Sequence, residues 1–147
     1  MLPLRHILVP FDWSEASIRA LDVAAALARE HNSQLVILHV VPLESLMYGP
    51  PPECYLTNLR NELSRISPTG TKTPAKHTLV EGSPAAAILA AARENHCDMI
   101  VMGTHGRTGL NRFLNGSVAE QVVRKAHCSV ITVRAEDCIP GQVSRRA

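Results

Sequence analysis

The stretch "GTHGRTGLNRFLNGS", residues 103–117, holds four glycines, two arginines and no acidic residue. An apolar run, "CDMIVM" (97–102), leads into it, and a helical pattern, "SVAEQVVRKA" (117–126), leads out. A glycine-rich connection from a buried strand to a helix N-terminus is how open parallel sheets approach an anion. Amides at the start of such a helix lack intrahelical partners, so the segment around Gly116 and Ser117 favours phosphate, and Arg107 and Arg112 add positive charge. The glycines alone are equally compatible with a connection that merely turns.

The rest of the chain repeats the same alternation. "HILVPF" (6–11) and "QLVILHVV" (34–41) are apolar runs without alternation, as expected of strands covered on both faces. Between them, "DWSEASIRALDVAAALAREHN" (12–32) predicts a helix with Ser14 as N-cap and Asn32 as its stop. Pro42 and the triplet Pro50-Pro51-Pro52 mark a loop. "CYLTNLRNELSRI" (54–66) predicts a short helix with Leu56, Leu59, Leu63 and Ile66 on one side. "AKHTLVEG" (75–82) reads as a more polar, near-edge strand with an exposed His77. In "SPAAAILAAAREN" (83–95), Ser83 caps a helix and Pro84 takes its first position. "CDMIVMG", "GSVAEQVVRKAH" and "CSVITVR" complete a βαβαβαβαβ order. That order predicts one α/β domain, an open parallel sheet with helices on both faces. The domain spans residues 1–136, and 137–147 form a loose tail.

Composition narrows the function classes. A formal net charge of +2 with scattered basic residues does not suit nucleic acid or acidic membranes. No apolar stretch has the length of a membrane span, and the N-terminus lacks a signal-peptide layout. Four separated cysteines without a CxxC pair indicate free thiols and a cytoplasmic protein. His96-Cys97 and His127-Cys128 lack further ligands at zinc-like spacing, so buried structural cysteines are expected. His39, in an apolar strand, reads as a hydrogen-bonded core or rim residue.

"VPFD" ends the first strand and places Asp12 at a carboxyl end. There it can accept from ribose hydroxyls or help hold a phosphate-bound cation; it can equally bond amides near Ser14 at the helix entry. Trp13 beside it either covers a base or packs on the protein, and His105 either touches phosphate or faces solvent. There is no GxxxxGK[ST], GxGxxG or GxSxG, and no pair of carboxylates for acid–base work.

Gly103-Thr104-His105-Gly106, nine residues, then Gly116-Ser117 fits G-x2-G-x9-G-[ST]. With "HILVPFD", "VILHVV" and "GSVAEQVVRKAHCSVITV", the chain from His6 to Val133 resembles the universal stress protein family. The resemblance implies a sheet of order 3-2-1-4-5 (adenine nucleotide alpha-hydrolase-like), a homodimer, and ATP or another adenine nucleotide as ligand; Mg²⁺ is expected to accompany the ATP. By position, Pro10 and Asp12 match the family's adenine and ribose contacts, and Val40 the adenine-side residue. Gly103, Gly106, Gly116 and Ser117 match the phosphate and ribose contacts, and Val118 follows in the motif. The chain departs from the family between Leu43 and Pro74, where a longer helix is usual.

The leading functional expectation is an ATP-binding stress-response regulator acting on an unidentified protein partner. The alternatives are a slow ATPase or self-phosphorylating enzyme at the same site, and a nucleotide-free dimeric interaction module. The strand at 128–134, apolar through Val130, Ile131 and Val133 and free of proline, is the expected dimer edge.

Overall fold

Full burial of Ile7, Leu8 and Val9 in succession makes β1 (His6–Pro10) the centre of the fold. Each such side chain contributes about 1.5–3 kcal/mol relative to exposure, so a strand of this kind is covered on both faces. The computed structural model describes residues 3–49, 52–68, 73–104 and 118–134. In them β1 is followed by α1 (Glu15–His31), β2 (Gln34–Val41), α2 (Leu43–Met47), α3 (Pro52–Ser64), β3 (Ala75–Glu81), α4 (Pro84–Glu94), β4 (Met99–Gly103), α5 (Val118–Lys125) and β5 (Ser129–Val133). The strands form one parallel sheet of order β3-β2-β1-β4-β5. This is the order implied by the family resemblance.

Strand alternation divides the interior into two cores. Leu8, Val36, Leu38 and Ile100 point to one face and meet Ile88, Ala92 and Val122 of α4 and α5. Ile7, Val9, Leu35, Ile37 and Val101 point to the other and meet Ala20, Ala24 and Ala28 of α1 and Leu63 of α3. The buried face of α1 is almost wholly alanine, so this helix lies close to the sheet.

Local signals act largely as the sequence indicates. Ser14 Oγ accepts from Ser17 N at 3.2 Å, and Asn32 closes α1 in the left-handed region at φ 56°. Pro84 opens α4, and Ser83 holds the N-cap backbone geometry without a side-chain cap bond.

Three expectations are corrected. The segment after Pro42 is not all loop: α2 forms there, with none of its residues buried. It was hidden because a helix that buries nothing leaves no periodic apolar signature. Helix α3 starts at Pro52 and ends at Ser64, so Ile66 lies beyond it; Leu63 is its buried residue, while Leu56 and Leu59 are half-buried. His77 is half-buried, not exposed. It lies on the α1/α3 side of β3, and its Nε2 is 2.6 Å from the Ile66 carbonyl oxygen, tying the exit of α3 to the sheet.

Candidate functional site

β1 runs on to β2 and β3 on one side, while β4 and β5 lie on the other. The order reverses between β1 and β4, which pair through Ile7 with Met99 and Leu8 with Ile100. Outside the carboxyl ends at such a reversal lies the crevice where open α/β sheets take ligands. The chain segments at that crevice are the Asp12 turn after β1 and Gly103–Thr104 at the end of β4. Val40 lies at the end of β2, in register with Val80 of β3 and packed toward the α4/α5 core. Pro10, Asp12, Val40, Gly103 and Val118 are all half-buried, and Val118 belongs to α5. Gly106, Arg107, Gly116 and Ser117, with His105 and Arg112, lie outside the described residues.

The Asp12 turn is a network of short-range bonds. Asp12 Oδ1 accepts from Ser14 N at 3.0 Å, so the helix-entry role weighed for it is realised. Ser17 Oγ donates to the Ser14 carbonyl at 2.9 Å and accepts from Asp12 N at 3.4 Å. Trp13 sits between them at φ 61°, a conformation costing a bulky residue about 1–3 kcal/mol. Its ring packs edge-on against Phe11, with centroids 5.5 Å apart, and against His39, at 4.8 Å. His39 Nδ1 lies 2.7 Å from the Phe11 carbonyl oxygen. Trp13 therefore packs on the protein, at the carboxyl end of the α1/α3 core. His39 is the hydrogen-bonded residue its apolar strand suggests.

Gly103 sits where α1 crosses β4. A Cβ built on it would lie 2.7 Å from Ala16 Cβ, 2.9 Å from Ala16 C and 3.1 Å from Ser17 N. Glycine at this position thus lets the first turn of α1 rest on the end of β4. Two residues of this region were not singled out in the sequence. Ser17 is 4% exposed; its signal is the Ser14-x-x-Ser17 spacing behind Asp12. Thr104, half-buried, donates its amide to the Val133 carbonyl at 2.9 Å and continues β4 pairing to the mouth; nothing in its type marks it.

Asp98 lies at the opposite end of the sheet. Its Oδ2 accepts from Arg5 N at 2.7 Å and His6 N at 3.0 Å, fastening the start of β1 to that of β4. Cys97 is buried, and desolvation, reinforced by Cys128 and Asp98, pushes its thiol up to about 12. Burial also raises the Cys128 thiol, with a contribution from Asp98. Cys97 is the buried thiol expected, whereas Cys128 is only half-buried at the edge of the α4/α5 core, because it lies just before the edge strand β5; Cys138 lies outside the described residues. Among the described residues no three His, Cys, Asp or Glu side chains are grouped to hold a metal. Native protein treated with iodoacetamide at pH 8 should therefore label at the exposed Cys54 and leave Cys97 unmodified until unfolded. Peptide mapping of the alkylated chain reads this directly; equal labelling of Cys97 would contradict its burial.

The fold is that of a doubly wound α/β protein whose strand order reverses between β1 and β4. The model of the universal stress protein family matches residues 3–134, and the chain belongs to that family. Universal stress protein MJ0531 of Methanocaldococcus jannaschii is 34% identical over 139 residues, covering 88% of this chain and 82% of that protein. Among solved structures, universal stress protein UspA from Lactobacillus plantarum superposes with a TM-score of 0.70 at 26% identity, covering 91% of this chain and 100% of that one. A universal stress protein crystallised in complex with cAMP superposes with a TM-score of 0.63 at 27% identity, covering 88% and 95%. Among the described residues no helix is long and apolar enough to cross a membrane.

Proposed function

We propose that this stress protein binds an adenine nucleotide, ATP with Mg²⁺, across the carboxyl ends of β1, β2 and β4, and regulates a protein partner as a homodimer. The observation that carries the reading is the adjacency of β1 and β4, which sets Asp12 and Gly103 at one reversal point. The cAMP complex of a family member supports adenine nucleotides as the ligand class. In this reading Pro10 and Val40 flank the base, and Asp12 faces the ribose and the phosphate-bound cation. Gly103, Gly106, Gly116 and Ser117 contact the phosphates and ribose, Arg107 adds positive charge, and Val118 follows in the same motif. A carboxylate at the mouth suits a divalent cation, which would neutralise phosphate charge when bound.

The regulatory role is favoured over turnover by the placement of the carboxylates. Asp98, just before β4, is committed to backbone amides at the far end of the sheet, so it cannot pair with Asp12 in acid–base work.

Calorimetry on nucleotide-stripped protein with ATP, ADP, AMP and GTP tests the proposal. ATP should bind in the micromolar range, GTP far more weakly, and ATP should raise the melting temperature progressively, with the logarithm of its concentration above Kd. No heat and no thermal shift with any adenine nucleotide would sink it.

A further inference from the structure

Asp12 belongs to the ligand reading above, but nothing in that reading explains what holds Asp12 where it is. Its backbone amide donates to Ser17 Oγ at 3.4 Å. The same hydroxyl donates to the Ser14 carbonyl at 2.9 Å, and the Ser17 amide donates to Ser14 Oγ at 3.2 Å. Ser14 N in turn donates to Asp12 Oδ1 at 3.0 Å. These four bonds of the turn 12–14 all pass through Ser14 or Ser17. Ser17 is the one that is 4% exposed, and so is fixed by packing.

What fixes it is β4. A Cβ on Gly103 would lie 3.1 Å from Ser17 N and 2.7 Å from Ala16 Cβ, so the end of β4 is the floor on which Ser17 stands. Trp13, at φ 61°, needs such a frame, because the turn would otherwise relax toward an unstrained backbone.

We infer that Ser17, seated on Gly103, is the positioning residue of the nucleotide site: it couples the end of β4 to Asp12 and sets where the carboxylate meets the sugar. The inference rests on the adenine-nucleotide reading for its ligand, and on the turn geometry alone for its mechanical part. Ser17 itself touches no ligand in this account. It acts through Asp12, so removing it should matter only while Asp12 is present.

The test is a double-mutant cycle on the full chain with Ser17→Ala and Asp12→Ala, read with ATP by calorimetry. Ser17→Ala should weaken ATP about tenfold in the parent, the worth of one lost hydrogen bond in placement, and less than about twofold in the Asp12→Ala background. The single tryptophan gives a ligand-free readout. Trp13 emission should shift to the red as the ring loosens from Phe11 and His39. If Ser17→Ala does not fold, Ser17→Cys keeps the side-chain shape with a somewhat larger atom, replaces the hydroxyl by a weak thiol, and should show the same pattern. Equal weakening in both backgrounds, or none, overturns the inference. If the parent binds no adenine nucleotide, the ligand reading fails, and Trp13 emission alone decides the mechanical part: an unchanged spectrum overturns it, a red shift upholds it.

Discussion

Gly103→Ala should lower stability by about 1–2 kcal/mol. The backbone is not the obstacle: Gly82, at φ 146°, is the described glycine in the positive-φ region, so alanine can adopt the Gly103 conformation. Alanine even gains about 0.4–1 kcal/mol through the unfolded chain. The cost is steric. The new Cβ meets Ala16 Cβ at 2.7 Å and the backbone carbon of Ala16 at 2.9 Å, and backbone cannot swing aside as a long side chain can. Overpacking of this kind costs about 1–3 kcal/mol, which exceeds the gain. The midpoint of thermal unfolding should fall by roughly 2–8 °C for a chain of this size. Adding Ala16→Gly removes the nearest clash, so the two substitutions should couple by at least about 0.5 kcal/mol in urea unfolding. Additive effects, or a fully stable Gly103→Ala, would show that α1 does not rest on β4 as described.

Gly103 also shows where reading the sequence stops. The family resemblance implies a phosphate or ribose contact for it, by its position within G-x2-G-x9-G-[ST]. The structure gives it a second reason, close packing under α1, which only the path of a helix nearly ninety residues earlier reveals. The strands were legible because β1, β2 and β4 are buried on both faces and show it as unbroken apolar runs. The caps of α1 were legible because they are local: Ser14 and Asn32 act within a few residues of themselves. Helix α2 and the seat of His77 were not legible. The first buries nothing, and the second depends on where the chain after α3 returns to β3. Asp12 was recognised with two roles, and the bond to Ser14 establishes one of them. Ser17 escaped notice because a serine in the first turn of a helix is ordinary; its importance comes from what lies beneath it.

The largest expected effect concerns assembly, and here the structure changes the residue that should be substituted. β5 ends the sheet and pairs with β4. Its Val130, Ile131 and Val133 are half-buried, and the helices beside it leave Val23 37% and Val123 54% exposed. β3, at the other edge, carries the exposed Lys76, which discourages strand addition. A two-fold axis pairing β5 with its own copy would cover the apolar edge and close the assembly at two chains. Side-chain pattern alone selects Ile131 as the amide to remove. Hydrogen-bond parity selects differently. The Val133 carbonyl accepts from Thr104 N at 2.9 Å, so Val133 directs its backbone groups to β4. In a parallel strand alternate residues bond to the same side, so Ile131 also faces β4, and Val130 and Thr132 face the open edge. Ile131→Pro would therefore injure the sheet itself. Thr132→Pro removes an outward amide at an exposed side chain, where an edge strand tolerates proline. Because the substitution occurs twice in a symmetric interface, and each unmatched buried group costs about 1–3 kcal/mol, the dimer should weaken by about 2–6 kcal/mol, at least thirty-fold. Light scattering and sedimentation on the parent and on Thr132→Pro, with circular dichroism to confirm the fold, decide the matter. A parent that is monomeric at micromolar concentration, or a folded Thr132→Pro protein that remains as tight a dimer, would show that β5 does not join the subunits.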